Sequence, residues 1–410
     1  MIGGIEDAHV LQDIVDAKAM GLDAFAMNIN TFEWWATDTV DLLFKHADEL
    51  GFGLFFSFDM APGYFTDPSQ YADVLKTYLT RPSYYKYNDK YLVSTFGGES
   101  VSDSSWASFK QTVGNVLVVP GFYQATPTDN FFSDKGSLDG VLNWNSWPNP
   151  DAGKVEVESA QDETYMSAAH SASKIFLMGI SPLQYKHMDA GNNWYRRGES
   201  NLEVRLAQVL KMQPDMLEIQ TWNDAGEAHY VGNIWPEPMA GSAAIRAYTE
   251  GYSHKGYKEI LGPFVTAWKR GDTTTAGIVP SNGKEVQGTY WHHTLLVGAD
   301  CSADPLGKPG GVEHAEDVVS GVILVASGQT ALVAVVKSGE TEMGKVNLVE
   351  GYNAFKVGGL VAGKVSVEVF SGSTMISGGY GSIEVANSGS LCNYNFQVVP
   401  LGVDATAASY

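Results

Sequence analysis

At 410 residues the chain is longer than one hydrophobic core usually serves, so two domains are expected. Apolar residues make up 44% and charged ones 18%, which excludes a disordered chain. A net charge of −21 repels nucleic acid and anionic membrane surfaces, and no apolar run is long enough for a membrane-spanning helix.

Up to about residue 250, short β-rich apolar runs alternate with helical stretches. "DAFAMNIN" (23–30) is followed by a helical pattern around "TVDLLFKHADEL", and "GLFFSFDM" (53–60) by one near "YADVLKTYL". Further runs follow at 91–98, 115–122, 140–147, 174–181 and 215–222, separated for the most part by helical segments such as "NLEVRLAQVLKM". Such alternation predicts a parallel sheet buried on both faces. Seven strands plus the stub "MIGG" before the first helix point to a (β/α)8 barrel. The alternative, an open doubly wound sheet, normally carries a Gly-rich phosphate loop after its first strand, and "MIGGIEDA" does not fit one. From about residue 286 the pattern changes to short alternating strands between Gly, Ser and Asn turns, predicting an antiparallel β-sandwich over 286–410 after a barrel domain over 1–285. The segment from about 263 connects the two. Cys301 and Cys392 could form one disulfide or remain two buried thiols; spacing alone does not decide.

In a barrel the chemistry lies at the carboxyl ends of the strands. There the sequence places Asp59, the run Trp144-Asn145-Ser146-Trp147, and Trp222-Asn223-Asp224 with Glu227 one turn on. Asn28 and Tyr123 also fall at strand ends, and seven of the ten tryptophans (Trp34, Trp35, Trp144, Trp147, Trp194, Trp222, Trp235) lie in or beside these loops. Aromatic faces pack against sugar rings, so the clustering suggests a lined cleft. Paired carboxyl groups suit glycoside hydrolysis, one donating a proton and the other activating water or attacking the sugar. The plainer alternative is that Asp224 merely caps the turn after it. His187, Trp194, Tyr195 and Arg196 follow the run 174–181 and are candidates for binding sugar hydroxyls, as are His229 and Tyr230. Neighbours on a strand face opposite ways, so His292-His293 is not expected to hold a metal. Without a P-loop, nucleophile elbow or H-E-x-x-H, no metal or other cofactor is expected.

"AKAMGLDAFAMNIN", "GFGLFFSFDM", "NWNSWP" and "LEIQTWNDAGEAHYVG" together resemble the successive landmarks of glycoside hydrolase family 71, the fungal α-1,3-glucanases or mutanases. The resemblance covers about residues 8–250 and extends more loosely into the β-rich part. It implies an inverting endo-hydrolase of α-1,3-glucan, acting as a secreted or cell-wall monomer on a polysaccharide. The family's paired acids match Asp224 and Glu227, and its strand-end aspartate matches Asp59. Glu227 is expected as general acid and Asp224 as base, with Asp59 supporting them or replacing Asp224 as base. Asn28, Trp144 to Pro148 and His187 match sugar-lining positions. The chain departs from the pattern at its start, where "MIGG" stands in place of a full first strand.

Overall fold

A computed structural model describes residues 3–402. The chain opens on helix α1 (Asp7–Ala19) and then lays down strand after strand with intervening helices: β1 (Ala24–Ile29), β2 (Gly53–Met60), β3 (Lys90–Gly97), β4 (Val116–Gly121), β5 (Gly140–Asn143) and β6 (Ile175–Ile180). An antiparallel hairpin of β7 (Gln184–Asp189) and β8 (Asn192–Arg196) precedes β9 (Met216–Ile219). The pairing order β1-β2-β3-β4-β5-β6-β9 is parallel throughout, so all these strands end on one side. Residues Leu54 to Phe58 of β2 are all buried, as expected for a strand covered on both faces.

The helices follow their apolar spacing. In α2 (Trp34–Leu50), Ala36, Val40, Leu43, Phe44 and Ala47 recur at helical intervals and are all buried. That helix stops at Gly51, whose φ of 62° suits a residue without Cβ. In α4 (Asp103–Val113) the Ser102 hydroxyl accepts from the Ser105 amide at 3.1 Å, capping the first turn.

Among the described residues no strand pairs the outer edges of β1 and β9. Met1 and Ile2 of the expected stub lie outside the described residues, and Gly3 to Ile5 form no strand. A cavity of about 490 Å³ runs between these edges, walled by Val10 of α1 and by Phe264 of α8 (Lys258–Arg270). It extends from Asp59 and Asp224 at the strand ends to Asp215 and Lys269 at the other side. Glu218 of β9 lines it, with its Oε2 buried and without a hydrogen-bond partner. Burial raises the Glu218 carboxyl to about 7. A folded-state value above the unfolded one makes its contribution full at low pH and lost as pH rises through about 7. Glu218→Gln is therefore expected to match the parent near pH 4 and to exceed it at pH 8 by on the order of 1–3 kcal/mol. Urea denaturation at both pH values checks this, and equal stability at pH 8 would refute it.

Beyond α8 lie two four-stranded antiparallel sheets. One contains β10 (Val286–His293), β11 (Val318–Val325), β14 (Gly351–Gly358) and β17 (Phe396–Pro400). The other contains β12 (Leu332–Ser338), β13 (Thr341–Leu348), β15 (Val365–Ser371) and β16 (Thr374–Tyr380). Alternation along β10 explains why all its residues are buried. Tyr290 faces a core shared by the two sheets, whereas Trp291 faces the core of the parallel-sheet unit. The Trp291 indole donates to the Glu199 carbonyl at 3.0 Å, tying the units together. Cys301 and Cys392 are joined in a disulfide with Cα atoms 5.4 Å apart, which decides the alternative that spacing had left open.

Candidate active site

Two strand ends supply the acids. Asp59 is the penultimate residue of β2, and its Oδ1 accepts from the Ala61 amide at 2.9 Å. Burial raises its carboxyl, more than that amide lowers it. After β9 the chain makes a tight turn. The Thr221 hydroxyl accepts from the Asp224 amide at 3.0 Å, and the Asp224 Oδ1 accepts from the Glu227 amide at 3.2 Å. Asp224 thus caps the single helical turn Ala225–Glu227, as the plainer reading supposed, and its carboxyl also lines the cavity. The Tyr248 hydroxyl donates to the Gly226 carbonyl at 2.6 Å and holds the turn from outside. Oxygens of Asp224 and Glu227 and a ring nitrogen of His229 lie within 4.8 Å of one another.

Burial, and then the charge of Glu227, raise Asp224 to about 6. Glu227 instead meets donors from the hairpin: Lys186 Nζ lies 3.3 Å from its Oε1, and the Gln184 amide donates to its Oε2. Arg196 lies over the rings of Trp147 and Trp194 at 4.9 and 5.6 Å. His229 is fully buried, pairs through Nε2 with the Ser181 hydroxyl at 2.8 Å, and is pushed down to about 3 by burial and by Arg196. Its ring is neutral at pH 7 and does not line the cavity, contrary to its expected contact with sugar hydroxyls.

Asn28, Trp144, Trp222 and Asn223 line the same cavity as the three acids. Tyr123 stacks on Phe96 at 4.4 Å, and Phe96 belongs to that lining. Other expected sugar contacts are not on its wall. His187 is 2% exposed, and its two ring nitrogens are taken by Asn193 and Asp304, each at 2.7 Å. Tyr195 and Tyr230 are buried core side chains; Tyr230 donates to the Tyr252 carbonyl at 2.6 Å. Asn145 turns away to Gln161 at 3.3 Å, and Trp147 is covered by Arg196. Trp34, Trp35 and Trp235 do not line the cavity. Gln184 and Lys186 were missed from sequence. Their signal was parity: two polar residues two apart share a strand face, opposite to His187.

A model described as Glycosyl hydrolase family 71 matches residues 1–409. Glucan endo-1,3-alpha-glucosidase agn1 of Schizosaccharomyces pombe is 30% identical over 397 residues, 94% of this chain and 88% of that protein. Mutanase Pc12g07500 of Penicillium rubens is 26% identical across 97% of this chain and 86% of its own length. The ascus wall endo-1,3-alpha-glucanase of S. pombe is 26% identical across 94% and 90%. Among solved structures, the GH99 endo-alpha-mannosidase from Bacteroides thetaiotaomicron shares the fold, with a TM-score of 0.51 at 12% identity over 65% of this chain and 80% of that one.

Proposed function

We infer the function from the premise that this chain belongs to glycosyl hydrolase family 71. It is a glycoside hydrolase acting internally on α-1,3-glucan, as the names of its relatives support. We read the fold as a (β/α)8-type barrel with its first strand position open, carrying a β-sandwich as accessory domain. The disulfide and the relative named for the ascus wall support a place outside the cell, on wall glucan.

The observation that carries the catalytic reading is the close pair Asp224–Glu227, opening on one cavity with Asp59 and two tryptophans. Water activation with inversion uses carboxyl groups about 6.5–9.5 Å apart. The pair's nearest oxygens, within 4.8 Å, leave too little room for a sugar carbon and a water between them. The pair therefore works as one proton-holding unit, and Asp59 serves as the base across the cleft. Asp224 holds the proton because burial, and then the charge of Glu227 beside it, raise its carboxyl, while Lys186 and Gln184 engage Glu227. This moves the acid role expected of Glu227 to Asp224 and takes the alternative in which Asp59 replaces Asp224 as base.

In the reaction Asp224 protonates the glycosidic oxygen as its bond to C1 breaks. Asp59 takes a proton from the water that attacks C1 from the opposite face, and the new hemiacetal has inverted configuration. Trp144 and Trp222 present ring faces to the glucan, while Asn28 and Asn223 face its hydroxyls.

A donor raised to about 6 must be protonated to act, so kcat/KM is expected to fall as pH rises through about 6. A pH–rate profile that climbs between pH 6 and 8 would contradict this. The substrate is tested by incubation with α-1,3-, α-1,4- and α-1,6-glucans and α-mannan. An oligosaccharide ladder from the α-1,3-linked polymer alone is expected. Cleavage of another glycan instead would point to a different glycosidase, and binding without products to a carbohydrate-binding protein.

A further inference from the structure

We propose that Asp304, in the connection between β10 and β11 of the antiparallel unit, is a positioning residue for the Asp224–Glu227 pair, acting through His187 and the β7–β8 hairpin. The inference rests on the hydrolase reading above. The hairpin pairs with none of the parallel strands. Alternation along β7 sends Gln184 and Lys186 to one face, where both reach Glu227. It sends His187 to the other face, away from the cavity.

There the His187 ring is gripped at both nitrogens. Nδ1 meets the Asn193 Oδ1 at 2.7 Å, and the Asn193 amide group is fixed in turn by donating to the Leu306 carbonyl at 2.9 Å. Nε2 meets the Asp304 Oδ2 at 2.7 Å. With side chains 1% and 2% exposed, imidazole and carboxyl form a buried hydrogen-bonded pair. Asp304 has further partners: its Oδ2 accepts from the Cys392 amide at 2.7 Å and its Oδ1 from the Leu306 amide at 2.9 Å. Burial pushes its carboxyl up, but those amides and His187 outweigh burial and hold it below the usual range.

Further hydrogen bonds of the hairpin reach the same loop and its disulfide. Tyr195 of β8 donates its amide to the Gly310 carbonyl at 2.8 Å, and the Gly310 amide donates to the Asn193 carbonyl at 3.1 Å. The Tyr185 hydroxyl donates to the carbonyl of Cys392, the partner of Cys301, at 2.9 Å. A carboxylate fixed by two backbone amides is a rigid anchor, and His187 is the rod between it and the hairpin. The antiparallel unit thereby orients the donors that hold Glu227, and is more than a detachable appendage.

The test is a kinetic cycle on soluble α-1,3-linked oligosaccharides with Asp304→Asn, Lys186→Met and the double variant. D304N is expected to lower kcat about 10- to 100-fold with KM within a few-fold, because a small displacement of a holding group is felt in the chemical step. If Asp304 acts through the hairpin, the double variant falls little below K186M alone. His187→Gln, which keeps a donor toward Asp304, is expected to retain most activity, whereas His187→Leu loses it. A folded D304N with parental kcat, or losses from D304N and K186M that multiply independently, would overturn the proposal. Should D304N fail to fold, the His187 pair decides: equal activity of the Gln and Leu variants overturns it. A crystal structure of D304N, or of H187L, reads the claim without turnover. Lys186 displaced from Glu227 supports it and an unmoved Lys186 refutes it, even if the parent protein proves inactive on α-1,3-glucan and the functional reading falls.

Discussion

Asp224→Asn and Glu227→Gln are each expected to lower kcat on α-1,3-glucan by about 10³–10⁴-fold, with oligosaccharide affinity changed only a few-fold. Either change removes the arrangement in which one buried carboxyl keeps a proton because its neighbour carries the charge. An amide at position 224 cannot donate to the leaving oxygen as an acid, and an amide at 227 no longer makes Asp224 reluctant to ionise. Neither substitution alters Trp144 or Trp222 on the cavity wall, so the ring contacts proposed to hold the sugar survive. The roles separate on a 1,3-linked oligosaccharide with fluoride as leaving group, which departs without a proton. D224N is expected to recover on the fluoride, while Asp59→Asn stays impaired because its loss lies in activating water. Recovery by E227Q instead of D224N would exchange the two roles and restore the division expected from sequence. Parental turnover in both dyad variants would end the assignment.

Arg205→Met is expected to destabilise the fold by about 3–5 kcal/mol, because it leaves a buried carboxylate uncompensated. Arg205 and Asp162 are 0% and 1% exposed, paired at 2.5 Å between α6 (Asn201–Met212) and α5 (Ala160–Ser171). Arg205 also donates to the Gly179 carbonyl of β6 at 2.6 Å, and Asn143 at the end of β5 donates to Asp162 at 2.7 Å. The pair therefore fastens two helices to two strand ends, one of them at the residue before Trp144. Replacing Asp162 by Leu as well should recover much of the loss, since two apolar groups owe no desolvation. Urea denaturation of the single and double variants checks this; a single-variant loss under about 1 kcal/mol would show the pair to be dispensable.

The parallel strands were legible because each is an apolar run, and those inside the sheet are covered on both faces, a signal that needs no knowledge of partners. The acids were legible for a related reason: a strand end is a position in sequence as well as in space. Burial of polar side chains was not. His187, Tyr195 and Tyr230 look like ligands in a loop-rich stretch, yet the antiparallel unit packs over them from more than 100 residues away. Their neighbours Gln184 and Lys186 reach the site because the hairpin's register faces them inward; alternation tells that the two share a face, not which face looks inward. The disulfide was open for the same reason, since contact between Cys301 and Cys392 is a property of the packed loop. The unpaired edges of β1 and β9 emerged only from pairing order.

Proton NMR during the first minutes of cleavage of a soluble α-1,3-linked oligosaccharide tests the central claim most directly. A water placed by Asp59 opposite the Asp224 proton delivers the β-anomer first, with the α-anomer growing in only by mutarotation. An α-anomer appearing first would mean that the close pair works by retention without Asp59 as base, and would contradict the account.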